Sequence, residues 1–150
     1  AVNGGARLDA VLDAAHDLAD GRLFSAGPMQ YATLAALTEG DDHKTTFVDA
    51  LRKRAEVTTK RLNAIEGISC VPPRAAFYAM PKVELPPGRT DQDYVLGLLH
   101  ETGILCVYGS GFGCDSNDGF LRIVFLPSPT ELETIYDQIA DFTARFRGAC

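Results

Sequence analysis

ILCVYGSGFGCDSNDGFLRIVFLP, residues 104–127, decides how the rest of the chain is read. It predicts a short apolar strand over 104–107, a glycine-rich loop and a second strand over 120–126. The only charge in that second strand is Arg122. Side chains alternate between faces along a strand, so Phe120, Arg122 and Val124 share one face and Leu121, Ile123 and Phe125 the other. A guanidinium among such neighbours sits at a sheet edge, pairs with an internal Asp or Glu, or meets an anion from outside. Covered and unpaired, it would be strongly destabilising.

The loop Gly109-Ser110-Gly111-Phe112-Gly113 invites a phosphate reading. A dinucleotide loop joins a strand to a helix, so that the helix N-terminus meets the phosphate; here the loop leads to a strand. Its glycines imply positive backbone dihedrals or a close approach. A structural turn and a ligand-lining loop both remain open.

Working outward, Ser128-Pro129-Thr130-Glu131 is a helix start, with a capping serine, proline at the first position and glutamate at the third. The helix it opens carries Leu132, Ile135, Ile139, Phe142 and Phe146 on one stripe. Upstream, Thr90 and Asp93 form a second capping pattern, Val95, Leu98 and Leu99 face inward, and Gly103 closes the helix. The acids Asp41-Asp42, Asp91 and Asp93 all read as helix-start residues. Residues 68–71 and 76–80 are strand candidates, separated by Pro72-Pro73, with Pro81 ending the second; 85–88 is a loop.

A long helix is expected over 43–66, on the order of 36 Å at 1.5 Å per residue. Its apolar stripe is Phe47, Leu51, Ala55, Thr58, Leu62 and Ile65, and its basic face, with Lys44, Arg52, Lys53, Lys60 and Arg61, reads as solvated. Two further helices precede it, over 6–19 and from Pro28 to Gly40. The first has the stripe Leu8, Val11, Leu12, Ala15 and Leu18, and the second carries Tyr31, Leu34 and Ala35 inward. The order ααα, ββ, α, ββ, α predicts an α+β fold: a small, largely antiparallel sheet with helices on one face. The expected division is a helical unit over 1–40 and a compact unit over 41–150.

Composition narrows the function classes. The 150 residues are 46% hydrophobic and 23% charged, ordinary for a globular chain. A net charge of −6 argues against a nucleic-acid partner, which needs a basic footprint. No apolar run approaches the roughly 20 residues of a membrane span. Cys70, Cys106, Cys114 and Cys150 have no C-x-x-C spacing, so neither a zinc site nor a redox motif is expected. Cys70 and Cys106 read as small core residues, and free thiols suit a reducing cytoplasm. The opening AVNGGARLDA has no signal-peptide pattern, and its initial Ala suggests a processed chain, a tag remnant or an excised fragment. No catalytic nucleophile, base or metal-ligand set stands out.

Three segments together resemble the C-terminal region of fold-type-I, pyridoxal-phosphate-dependent aminotransferases of class I/II. They are AAFYAMPKV at 75–83, GSGFG at 109–113 and GFLRIVFLP at 119–127. SAGPMQYATLAAL at 25–37 and the long helix after it follow that family's order, so the resemblance covers essentially the whole chain. Tyrosine before GSGFG, with AFYAMP, is most similar to the alanine aminotransferase-like branch.

The resemblance implies a partner for Arg122: the α-carboxylate of an amino-acid or 2-oxo-acid substrate, held by a bidentate pair. It implies that Gly109, Ser110 and Tyr78 lie at the substrate site. It also implies that 25–30 reaches the neighbouring subunit in a homodimer. On the same footing, 1–40 is the end of a large cofactor-binding domain and 41–150 the small C-terminal domain.

The departures matter as much. The family's Schiff-base lysine, phosphate-binding residues and pyridine-pairing aspartate precede this region, and Lys44, Lys53, Lys60 and Lys82 lack the S-K-x context. No cofactor-binding residue is assigned, and the chain alone is not expected to transaminate. The competing expectation is a free-standing α+β module that binds a small acidic metabolite or a partner protein.

Overall fold

The computed structural model describes residues 6–21, 27–39 and 42–148. The chain divides into two compact units, Ala1–His43 and Lys44–Cys150. The first contains helices α1 (Ala6–Asp20) and α2 (Gly27–Thr38). The spacing that predicted them is right, but their apolar faces are not covered. Val11, Leu12, Leu18, Tyr31 and Leu34 are exposed, which corrects the inward assignment of Tyr31 and Leu34. Periodicity marks an apolar face and does not supply what covers it.

The second unit is α+β. It contains α3 (Asp42–Asn63), whose first residues belong to the other unit, β1 (Ile68–Ser69), β2 (Tyr78–Ala79), β3 (Lys82–Val83), α4 (Asp91–Thr102), β4 (Val107–Tyr108), β5 (Leu121–Val124) and α5 (Pro129–Gly148). β1 pairs with β3, and a three-stranded sheet has the order β2-β5-β4, all antiparallel. An isolated bridge from Lys82 to Phe120 continues the β2–β5 register toward β3.

The strands are shorter than predicted, and β3 was not foreseen. β2 is bounded by Ala76, whose φ of 59° is left-handed, and by Pro81, which lacks an N–H for the ladder. Of residues 104–107 only Val107 enters a strand. Beyond β5, Phe125 still donates its N–H to the Phe77 carbonyl at 2.9 Å.

The core lies between the sheet and the helices α4 and α5. Leu121, Ile123 and Phe125 are buried together with Tyr94, Val95, Leu98, Leu132, Tyr136, Ile139 and Phe142. Each large apolar side chain so buried contributes roughly 1.5–3 kcal/mol. Tyr94 meets Phe142 and Phe146 edge-on, both with ring centroids at 5.2 Å. The two buried phenols are satisfied by threonines: Tyr136 by Thr58 and Tyr94 by Thr143, each at 2.7 Å. Burial pushes both hydroxyls up to about 12, against the opposing effect of those hydrogen bonds.

Both predicted caps form. Thr90 and Asp93 make a reciprocal capping box at α4, and Ser128 and Glu131 exchange the same contacts at α5. The basic face of α3 is only partly solvated: Arg61 reaches Glu133 and Asp137 on α5. A stripe that continues Thr58 and Leu62 into the core brings this flank of α3 against α5.

Candidate functional site

β5 is the central strand of its sheet, so Arg122 is not at an edge. Tyr78 is registered opposite Val124 and Val107 opposite Arg122, which places all four on one face. Arg122 is half-buried and makes no ion pair among the described residues. Its Nε is buried without a hydrogen-bond partner. Of the two internal explanations for this charge, an edge position and an acidic partner, neither holds among the described residues.

Aromatic rings hold the guanidinium instead. Phe112 lies 4.3 Å from its carbon and Tyr78 5.7 Å. Such contacts are worth about 0.5–2 kcal/mol and leave the N–H fork unengaged. Phe112 carried no signal of this role in the sequence beyond its place between two glycines.

The glycine loop is a structured turn. Residues Gly109–Phe112 form a single 3-10 turn that ends at Gly113, with φ of 89°. Gly109 donates its N–H to the Phe120 carbonyl at 2.7 Å, and a Cβ there would stand 2.6 Å from that oxygen. Glycine is required by this close approach. Ser110 is turned to Asp91, which accepts its N–H at 2.7 Å and its hydroxyl at 3.0 Å. Reading Asp91 as a mere helix-start residue is thereby corrected: Thr90 and Asp93 do the capping, and Asp91 is buried against the turn.

Arg122, Tyr78, Gly109 and Ser110 thus come together around one turn and one sheet face, while residues 25 and 26 of the predicted inter-subunit segment lie outside the described residues. Gln30 and its neighbours in α2 belong to the other unit.

A pyridoxal-phosphate cradle does not fit the described residues. The hydroxyl of the turn, Ser110, is occupied by Asp91. Lys82 shares the sheet face of Arg122, but its ammonium rests 5.3 Å over the Phe120 ring, and Lys44, Lys53 and Lys60 lie on α3. Among the described residues no cluster of His, Cys, Asp and Glu could hold a metal ion. Cys70 and Cys106 are buried free thiols, and burial pushes Cys106 up to about 11, far from the reactive thiolate range. No described helix is long and apolar enough to cross a membrane.

A separate groove of about 1010 Å³ lies between α3 and residues 72–77, lined by Phe47, Val48, Leu51, Pro72, Pro73 and Phe77. It is mainly apolar, with Arg52, Glu56, Lys60 and Arg74 also in its lining, and that lining does not include Arg122.

No protein-family model matches the chain. The probable mitochondrial alanine aminotransferase of Dictyostelium discoideum is 39% identical over 108 residues, which are 65% of this chain and 20% of that protein. The LL-diaminopimelate aminotransferase of Oleidesulfovibrio alaskensis is 35% identical over 137 residues, 91% of this chain and 34% of that protein. Among solved structures, alanine aminotransferase from Pyrococcus furiosus matches with a TM-score of 0.79 at 38% identity, covering 94% of this chain and 36% of that one. The chain therefore spans from a fifth to little more than a third of these proteins.

Proposed function

We propose that this chain, a member of the fold-type-I pyridoxal-phosphate-dependent aminotransferase superfamily, is the substrate-carboxylate-binding part of an enzyme that moves an amino group between an amino acid and a 2-oxo acid. One observation carries the reading. Arg122 sits on a central strand with its fork unengaged and no internal counterion among the described residues. A planar guanidinium so placed suits a planar carboxylate, which takes two parallel N–H···O bonds.

Roles follow for the neighbouring residues. Phe112 and Tyr78 orient the guanidinium and exclude water from one of its faces. The turn at Gly109 and Ser110 borders the bound carboxylate. Alanine and glutamate are the proposed amino donors; support comes from the alanine aminotransferases among the similar proteins, although a diaminopimelate enzyme stands beside them.

Pyridoxal phosphate supplies the electron sink for amino-group transfer when it is bound. The residues described here provide the carboxylate clamp and not that cofactor's cradle, so the chain by itself is not expected to transaminate. We assign 1–40 to the end of a large cofactor-binding domain and 41–150 to a small domain. The working enzyme is taken as a cytoplasmic homodimer, with the free thiols in keeping with a reducing compartment.

The test is Arg122→Lys and Arg122→Ala in the full-length enzyme. Losing the bidentate pair is expected to raise the KM for the amino acid by about 100-fold in the alanine variant, with a smaller rise in the lysine variant. An unchanged KM in Arg122→Ala would end this assignment.

A further inference from the structure

Among the described residues Asp91 is the one buried acidic side chain, 1% exposed. It has no basic partner there. Its hydrogen bonds all run to one loop. Oδ2 accepts the Ser110 N–H at 2.7 Å, Oδ1 accepts the Ser110 hydroxyl at 3.0 Å, and its own N–H donates to the Ser116 carbonyl at 2.8 Å. A buried carboxylate is a costly way to hold a surface turn. Its place in the first turn of α4 lowers that cost, because the helix N-terminus favours negative charge. What it secures is specific. Ser110 lies two residues before Phe112, and Phe112 is the ring stacked 4.3 Å from the Arg122 guanidinium. The same turn is fastened through Gly109 to the Phe120 carbonyl, two residues before Arg122.

We propose that Asp91 is the positioning residue of the carboxylate site. By clamping Ser110 it fixes the turn that lays Phe112 over Arg122, and so sets the plane in which the guanidinium presents its fork. This rests on the carboxylate role of Arg122 given above. On it, Ser110 works through the turn and need not touch the substrate.

The experiment uses the full-length, cofactor-loaded enzyme and compares alanine with ethylamine, which has the amine and lacks the carboxylate. The carboxylate's electronic effect on the Cα–H is common to parent and variant, so the change in the ratio of their kcat/KM values on substitution reads carboxylate recognition. Asp91→Ala is expected to reduce that ratio by at least about tenfold, through the KM for alanine, with ethylamine changed less than about twofold; a displacement on the order of 1 Å can cost about 100-fold. Calorimetric titration with propionate, a carboxylate without an amine, is expected to weaken by the same factor. An equal loss for alanine and ethylamine, or no change, overturns the proposal.

If Asp91→Ala does not fold, Ser110→Ala decides. It removes the hydroxyl arm and keeps the amide arm, so a partial fall in the ratio is expected and an unchanged ratio overturns the proposal. Arg122→Ala separates the two readings. If it leaves the ratio intact, the carboxylate role of Arg122 falls. If it abolishes the ratio while Asp91→Ala leaves it unchanged, only the positioning role falls.

Discussion

The two faces of β5 are finished by different things. On one, Leu121 and Ile123, with Phe125 just beyond, are buried in a core built with α4 and α5. On the other, Val124, Tyr78 and Phe112 are exposed and Arg122 has no acidic partner among the described residues. The same backbone, with the same register, carries both. Folding supplies every partner the first face needs. The second keeps a half-buried charge whose N–H fork is unengaged among the described residues, its desolvation cost offset in part by the Phe112 and Tyr78 rings. On the function proposed above, the closed face answers to stability and the open face to binding, and substitutions should divide accordingly.

The largest expected effect is on the closed face. Phe125→Ala removes a fully buried ring and should cost about 3–5 kcal/mol, read as a lower urea midpoint with an unchanged slope. If this variant kept its stability, the closed face would not be the core.

Next comes alkaline unfolding. Tyr94 and Tyr136 have folded-state values raised from 10.0 to about 12. A raised value means that the folded state holds its proton longer than the unfolded chain. The stability this supplies is whole below about pH 10 and is lost as pH rises toward about 12. Tyrosinate absorbance of these two residues should therefore appear together with loss of helical circular dichroism. Ionisation of both while the helices persist would contradict the packing described.

The smallest effect is at a cap. Thr90→Ala should cost about 1 kcal/mol near neutral pH. The hydrogen bonds from Thr90 hold the Asp93 carboxyl below its ordinary range, as those from Ser128 do for Glu131. A lowered value supplies stability above the ordinary carboxylate range, lost as pH falls through the folded value. The gap between Thr90→Ala and the parent chain should thus shrink in acid.

The features legible in the sequence are those set by neighbours along the chain. Thr90 with Asp93 and Ser128 with Glu131 each occupy a single turn, and the α5 stripe repeats with the helix itself. Arg122 stood out because strand alternation leaves a charge in an apolar row no ordinary place. The α+β arrangement followed from element order. What stayed hidden depends on distant partners. β3 has only two residues, beside Pro81, too few to show alternation. Asp91 looked like one more acid at a helix start, because its partner Ser110 is far along the chain. Arg61 looked solvated until α5 brought Glu133 and Asp137 to it. The exposure of Leu18 and Tyr31 could not be read from spacing that marks a face and not its cover.

The central claim is that the charge on the open face has no counterion among the described residues. Urea unfolding of Arg122→Met against the parent chain tests it most directly. Methionine keeps much of the apolar stem and removes the charge. With no partner among the described residues to orphan, the stability should stay within about 1 kcal/mol of the parent, lost ring contacts being offset by relief of the half-buried charge. A loss of about 3–5 kcal/mol, the mark of a broken buried ion pair, would contradict the account.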